Sequence, residues 1–212
     1  MTLEGLTLLL ADEQLVAVDK PAGMLSVPGR GPERADCAAS RVQAAYPDAL
    51  IVHRLDMGTS GVLVFGRGAD AQRTLSVSFA QRRVDKRYIA IVAGSLPADE
   101  GRVELPLICD WPNRPRQMVD HDRGKASTTL WRVLQRSADG ATTRVELTPL
   151  TGRSHQLRVH MQQIGHPIVG DELYAPPDVQ AMAPRLLLHA ECLTLPHPAD
   201  GRVITIPSPC PF

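Results

Sequence analysis

Strand-like segments outnumber helical ones along this chain. LVAVD (15–19) is an apolar run stopped by the turn Lys20-Pro21-Ala22-Gly23, and GVLVFGR (61–67) reads as a buried strand. RYIAIVAG (87–94) is rich in β-branched residues, while TLWRVL (129–134) and TRVELTPL (143–150) alternate as half-buried strands do. Further strands are expected over 186–195 and 202–206. Helical spacing occurs in three places. Asp36 is placed to cap CAASRVQAAY, which ends before Pro47. Asp70 opens a helix that keeps Ala71, Leu75 and Phe79 on one face. Ser154 is placed to cap HQLRVHMQQI, an amphipathic helix with Leu157, Met161 and Ile164 on its apolar face and Gly165 as its stop.

Strands adjacent in sequence, without regular helical crossovers, predict an α+β fold: a mixed, mostly antiparallel central sheet flanked by helices. At 212 residues the chain is long enough to bury a sizeable core unaided. It shows no repeat, low-complexity tract or Gly/Ser-rich linker, so residues 1–212 are expected to form a single domain. Composition, at 43% hydrophobic and 22% charged, excludes a disordered or fibrous chain.

The four cysteines, at 37, 109, 192 and 210, include no pair with CxxC spacing. That disfavours zinc fingers and disulfide frameworks. His155 and His160 are five apart and share no helical face, so a metal site is not expected. The N-terminus carries Glu4 where a signal peptide has cations, and no apolar stretch is long enough for a membrane span. A cytoplasmic protein with no membrane partner is expected.

The formal net charge is zero, from 23 basic and 23 acidic residues, but the layout is uneven. Residues 54–87 and 110–160 each carry an excess of four positive charges, and the three flanking segments are net negative. Twenty of the cations are arginine, whose planar donor fork suits phosphate and carboxylate, although a GC-rich genome produces the same bias.

Three segments concentrate polar chemistry. HRLDMGTSG (53–61) packs His53, Arg54, Asp56, Thr59 and Ser60 into one loop before a core strand. Its Asp56 reads either as a nucleophile or as an acceptor of turn N–H groups. A Ser60 nucleophile elbow lacks its second glycine, because position 62 is valine. TGRSHQLRVHMQQIGHPIVGD (151–171) puts Arg153 at a strand-to-helix junction, and its bland reading is a capped helix with a solvated cationic face. RRVDKRYIAIV (82–92) sets Arg82, Arg83, Lys86 and Arg87 before Tyr88, a pattern that suits phosphate contacts with base stacking. With eight aromatics in all, the rings near loops or charge are Tyr88, Trp111 and Tyr174.

Together these segments resemble the RluA family of pseudouridine synthases. Residues 53–61 match the family's HRLDxxTSG loop without departure. GRSHQLRVH, followed by GHPI and GD (152–171), matches the later block, and DKPAGMLSVPG (19–29) and LLLHA (186–190) also look like family elements. The likeness runs from about residue 12 to 206. The S4-like N-terminal domain of many relatives is not expected within these 212 residues. LPLICDWPNRP (105–115) and MAPRLLLHAE (182–191) further resemble the family members with dual activity on 23S rRNA and the tRNA anticodon stem-loop.

The resemblance implies an isomerase that breaks the N–C glycosidic bond of a uridine, rotates the base and rejoins it through carbon. No cofactor or metal is implied. Asp56 takes the position of the family nucleophile, Arg153 that of the arginine paired with it, and Tyr88 that of the tyrosine stacked on uracil. Arg54 would fill the space left by a flipped base. His53, Thr59, Arg83, Arg87 and Arg114 are expected to bind RNA, and Arg158 is a further candidate for phosphate. Monomer is the default expectation. The rivals are an RNA-binding module that has lost catalysis, a serine or metal-dependent hydrolase, and the same enzyme acting on another RNA site.

Overall fold

The computed structural model describes residues 3–212. In chain order the elements are β1 (Thr7–Ala11), β2 (Leu15–Lys20), α1 (Ala38–Ala45), β3 (Ala49–Ile51), β4 (Ser60–Arg67), α2 (Gly68–Ala80), β5 (Asp85–Ala93) and β6 (Glu100–Glu104). There follow β7 (Leu107–Cys109), β8 (Gln117–Val119), β9 (Thr128–Arg136), β10 (Thr142–Pro149), α3 (Gln156–Gln163), α4 (Pro177–Gln180), β11 (Leu188–Pro196) and β12 (Val203–Pro207). The α+β class expected from sequence is what forms.

The chain packs as two compact units, Met1–Lys86 with His189–Pro211, and Arg87–Leu188 with Phe212. In the first, β1 and β2 pair antiparallel, β2 pairs antiparallel with β4, and β3 lies against β4. A parallel pairing joins β4 to β11, through His189 with Ser60 and Ala190 with Gly61. β12 then pairs antiparallel with β11. Leu15, Ala17, Val62, Val64, Leu75, Leu193, Leu195 and Ile206 form the core, sealed by α2 through Leu75. Gly61 is required where β4 meets β11: its φ is 116°, and a Cβ there would lie 2.2 Å from the Ala190 carbonyl oxygen.

In the second unit β10 pairs antiparallel with both β5 and β9, and β9 with β6. Ala90, Val92, Val145 and Leu147 meet Leu157 and Met161 of α3 in its core. The short hairpin β7–β8 stands apart from that ladder.

Two expected caps are corrected. Cys37, not Asp36, caps α1: its Sγ accepts the Ser40 N–H while Ser40 Oγ accepts the Cys37 N–H. Asp36 instead forms a bidentate pair with Arg41 at 2.8 and 2.7 Å. Nor does Ser154 cap α3. The residue before that helix is His155 in the left-handed conformation (φ 53°), and Gln156 folds its own side chain back to accept the Arg153 N–H at 3.0 Å.

Helix α2 ends on an arginine in the left-handed region. Arg82 (φ 58°) donates to the Phe79 carbonyl, and Arg83 donates to Ser78, the paired bonds of a Schellman motif that favours glycine at that place. Arg82→Gly is therefore expected to raise stability by about 1 kcal/mol in urea unfolding. An unchanged or lowered midpoint would show that the arginine side chain contributes more than the backbone costs.

Candidate active site

The HRLDMGTSG loop is built to hold one residue still. Ser26 clasps the backbone just before Asp56: its Oγ accepts the Leu55 N–H at 3.0 Å and donates to the Leu55 carbonyl at 2.7 Å. Just after Asp56, the Met57 carbonyl accepts the Gly23 N–H at 2.8 Å and the Lys20 Nζ at 3.2 Å. Lys20 is 0% exposed, and its ammonium also donates to Pro21 and Met24 carbonyls at 2.9 and 2.8 Å. A buried ammonium is tolerated because three carbonyl oxygens replace its water. The 20–26 segment is tied in turn to α1, whose Ala38 and Ala39 N–H groups bind the Leu25 and Ser26 carbonyls.

The rest of the loop is equally committed. The Asp56 carbonyl accepts the Thr59 N–H, and Thr59 is buried. Ser60 Oγ lies 2.9 Å from His189 Nδ1, while His189 Nε2 lies 2.8 Å from the Ser208 carbonyl. Since a carbonyl only accepts, Nε2 carries the proton and Nδ1 takes the Ser60 hydroxyl. Both groups are buried, so this hydrogen bond ties the start of β4 to β11 out of reach of a substrate.

His53 is half-buried and stacked on Phe79 at 4.6 Å, and its Nε2 accepts the Val64 N–H at 3.0 Å. Burial pushes its pKa down to about 3, and the Lys86 charge adds to the shift. The ring is neutral scaffold, whereas the exposed Arg54 next to it faces solvent. Arg83, at the end of α2, is exposed as well.

In the second unit Tyr88 is half-buried near the start of β5, packed on the core and in register with Leu147 of β10. β10 ends at Pro149 and leads directly into the turn that carries Arg153, so both residues lie at the same end of this sheet. Arg153 is exposed, with Nε 3.4 Å from the Ala126 carbonyl. Arg87 is exposed on β5, and Arg114 is exposed on the β7–β8 connection.

The helix behind Arg153 is not the solvated amphipath expected. Residues 156–161 are all buried, and Arg158 forms a buried bidentate pair with Asp171 at 2.8 and 2.6 Å. That removes Arg158 from the phosphate contacts and makes it structural. Asp171 also accepts the Leu173 and Tyr174 N–H groups. The buried Tyr174 hydroxyl accepts the Gln117 N–H at 2.7 Å and lies 2.7 Å from His155 Nδ1, so it too is scaffold, not a base-stacking ring.

Sequence reasoning overlooked Lys20, Ser26 and His189. Each lay in a segment with a visible signal, DKPAGMLS or LLLHA, but nothing local says that these side chains bind loop backbone. Among the described residues no group of three or more His, Cys, Asp or Glu side chains is placed to hold a metal ion, and no helix is long and apolar enough to cross a membrane.

Comparison with known proteins places this loop and fold in one class. The sequence profile of the RNA pseudouridylate synthase family matches residues 14–163, and the chain belongs to that family. It is an isomerase that converts uridine in RNA to pseudouridine. Relatives named dual-specificity RNA pseudouridine synthase RluA are 52% identical over 207 residues in Escherichia coli K12, covering 98% of this chain and 94% of that one. The Yersinia pestis protein of the same name is 53% identical over 193 residues, covering 91% and 93%. Among solved structures, human RNA Pseudouridylate Synthase Domain Containing 1 has a TM-score of 0.82 at 27% identity over all of this chain and 86% of its own.

If the clasp on Leu55 positions Asp56, Ser26→Ala should lower kcat about 10-fold or more while KM for RNA holds, and Ser26→Thr should restore it. Equal loss in kcat with Ser26→Thr and Ser26→Ala, or no loss in either, would rule the clasp out as a positioning device.

His53 also predicts an acid limb to stability. Its pKa is lower folded than unfolded, so the unfolded chain binds the extra proton and stability falls as pH drops below about 6.5. The slope from this one group is at most about 1.4 kcal/mol per pH unit. Urea midpoints between pH 6.5 and 4.5 should fall less steeply in His53→Gln, whose amide oxygen can still accept the Val64 N–H. Parallel slopes would contradict a neutral His53.

Proposed function

We propose that this chain converts specific uridines of 23S rRNA and of the tRNA anticodon stem-loop to pseudouridine, with Asp56 as the nucleophile. The observation that carries the assignment of Asp56 is the double anchoring of its backbone, at Leu55 by Ser26 and at Met57 by Lys20 and Gly23. A residue that merely accepted turn N–H bonds would need no such frame. The two kinds of substrate are supported by the dual specificity in the relatives' name and by the 105–115 and 182–191 stretches.

The chemistry follows from these residues. The target uridine leaves its stack to reach the loop, and the exposed Arg54 takes its place among the neighbouring bases. Asp56 forms a covalent bond to the substrate as the glycosidic C–N bond breaks. The base turns and rejoins the sugar through its C5 carbon, which releases the carboxylate; C5 gives up its proton and the freed N1 takes one up, so the product is an isomer of the substrate. Tyr88 stacks on the uracil ring, and Arg153 supplies the positive charge that orients the carboxylate. Arg83, Arg87 and Arg114 hold phosphates, with His53 and Thr59 shaping the loop from within. The isomerisation needs neither redox change nor energy input, and so calls for no cofactor. One chain acting as a monomer in the cytoplasm, where both substrates are found, is part of this reading. So is a single catalytic role for residues 1–212, supported by a family profile that runs through both compact units.

The test uses purified protein and unmodified transcripts of tRNA and 23S rRNA, with pseudouridine mapped by position. Asp56→Asn and Asp56→Ala should lose conversion by a factor of about 10³ or more, with RNA affinity largely kept. Full conversion by Asp56→Ala would overturn the nucleophile. Conversion in one RNA alone would replace the dual substrate with a single site.

A further inference from the structure

The β7–β8 hairpin carries a feature that the reaction at Asp56 does not use. Its connection, residues 110–116, is rigid: the Asp110 N–H binds the Arg116 carbonyl, and the Arg116 N–H binds Asn113. The Asn113 amide in turn caps the Asp110 carboxylate at 2.9 and 3.1 Å. This frame holds out Trp111, 67% exposed, with the Arg114 guanidinium 4.0 Å from its ring centroid. The tip WPNRPR (111–116) contains two arginines and no acid.

An indole held out on a hydrogen-bonded loop presents a flat aromatic face to solvent. One ring face is backed by a cation, so the site suits a partner that is flat, aromatic and attached to negative charge. An unpaired nucleobase with its phosphates has that chemistry. Four of the other eight cations of the basic 110–160 stretch pair with acids: Arg123 with Asp120, Arg132 with Glu146, Arg136 with Asp99 and Arg158 with Asp171. Arg114 forms no ion pair among the described residues, which leaves it for an outside anion.

The platform is also keyed to the catalytic segment of its own unit. Gln117, the first residue after the tip, donates its N–H to the Tyr174 hydroxyl, which lies 2.7 Å from His155, two residues after Arg153. The Arg116 guanidinium lies over the Tyr174 ring at 5.3 Å. A chain of short polar contacts therefore fixes the hairpin tip relative to the Arg153 turn.

We infer that Trp111, backed by Arg114, is a base-stacking site that grips an unpaired nucleotide of the substrate other than the target uridine. This rests on the RNA substrate of the reading above and adds a specificity contact to it. Wild type, Trp111→Phe and Trp111→Ala would be compared on an unmodified tRNA anticodon stem-loop transcript. Trp111→Ala should raise KM about 10-fold or more with kcat within twofold, and Trp111→Phe, which keeps an aromatic face, should stay within about threefold of wild type. Saturating RNA should quench intrinsic emission in wild type by more than in Trp111→Phe, since the other tryptophan, Trp131, lies in β9.

Unchanged KM in Trp111→Ala together with equal quenching in wild type and Trp111→Phe would overturn the inference. Concentration-dependent self-association lost in Trp111→Ala, with RNA affinity unchanged, would replace the base by a second copy of the chain. Emission titrations detect stacking without turnover, so failure of the catalytic reading at Asp56 and failure of this one are distinguishable.

Discussion

Both neighbours of Asp56 are held through their backbones, and much of the first unit is arranged to make that possible. Ser26 binds Leu55 and Lys20 binds Met57, while the segment that carries both is itself bound at the N-terminus of α1. A single side chain pinned by side-chain contacts alone retains rotational freedom in its backbone. A residue with both adjoining peptides fixed does not, and a nucleophile gains from that because reactivity falls steeply with small misplacements. The fully buried ammonium of Lys20 would be destabilising alone. With three carbonyls around it, it organises the turn at 21–24 and the Asp56 loop together.

The second unit solves a similar problem with a polar network. Arg158 and Asp171 pair out of water, Asp171 receives the N–H groups of Leu173 and Tyr174, and the Tyr174 hydroxyl reaches Gln117 and His155. His155 occupies the left-handed region, uncommon for a residue with a side chain, and the hydrogen bond on its ring helps to hold it there. That bend turns the chain from β10 into α3 and sets the direction in which Arg153 leaves the backbone. A buried ion pair adds little stability by itself. Here its effect is geometric, in fixing one rotamer of Arg158 and one path for residues 171–174.

The charge pattern gains meaning from the same inventory. Four of the nine cations in 110–160 are matched by acids, so the excess seen along the sequence resolves onto Arg114, Arg116, Lys125 and Arg153 with Arg144 held at the C-terminal carbonyl. Linear counts treat every arginine alike. Pairing distances separate those that brace the fold from those without an ion pair among the described residues.

Much was legible without coordinates, because the information was local. Period-two alternation marked β9 and β10, apolar runs marked β2 and β4, and the loop motif singled out Asp56 within nine residues. The misread positions share one cause: a polar side chain near a helix start has several possible partners, and sequence does not show which is within reach. Asp36 found Arg41 and left the cap to Cys37, while Ser154 yielded to the folded-back Gln156. Arg158 looked like a phosphate contact until Asp171, thirteen residues on, was brought against it. The sequence by itself determined the α+β class, the family and the candidate nucleophile, since these reside in periodicity and in short ordered motifs. Tertiary structure alone decided that Lys20, Ser26 and His189 hold the loop, that Tyr174 is scaffold and that Trp111 is exposed. Those outcomes depend on burial and hydrogen-bond distance between residues far apart in the chain, which no local pattern encodes.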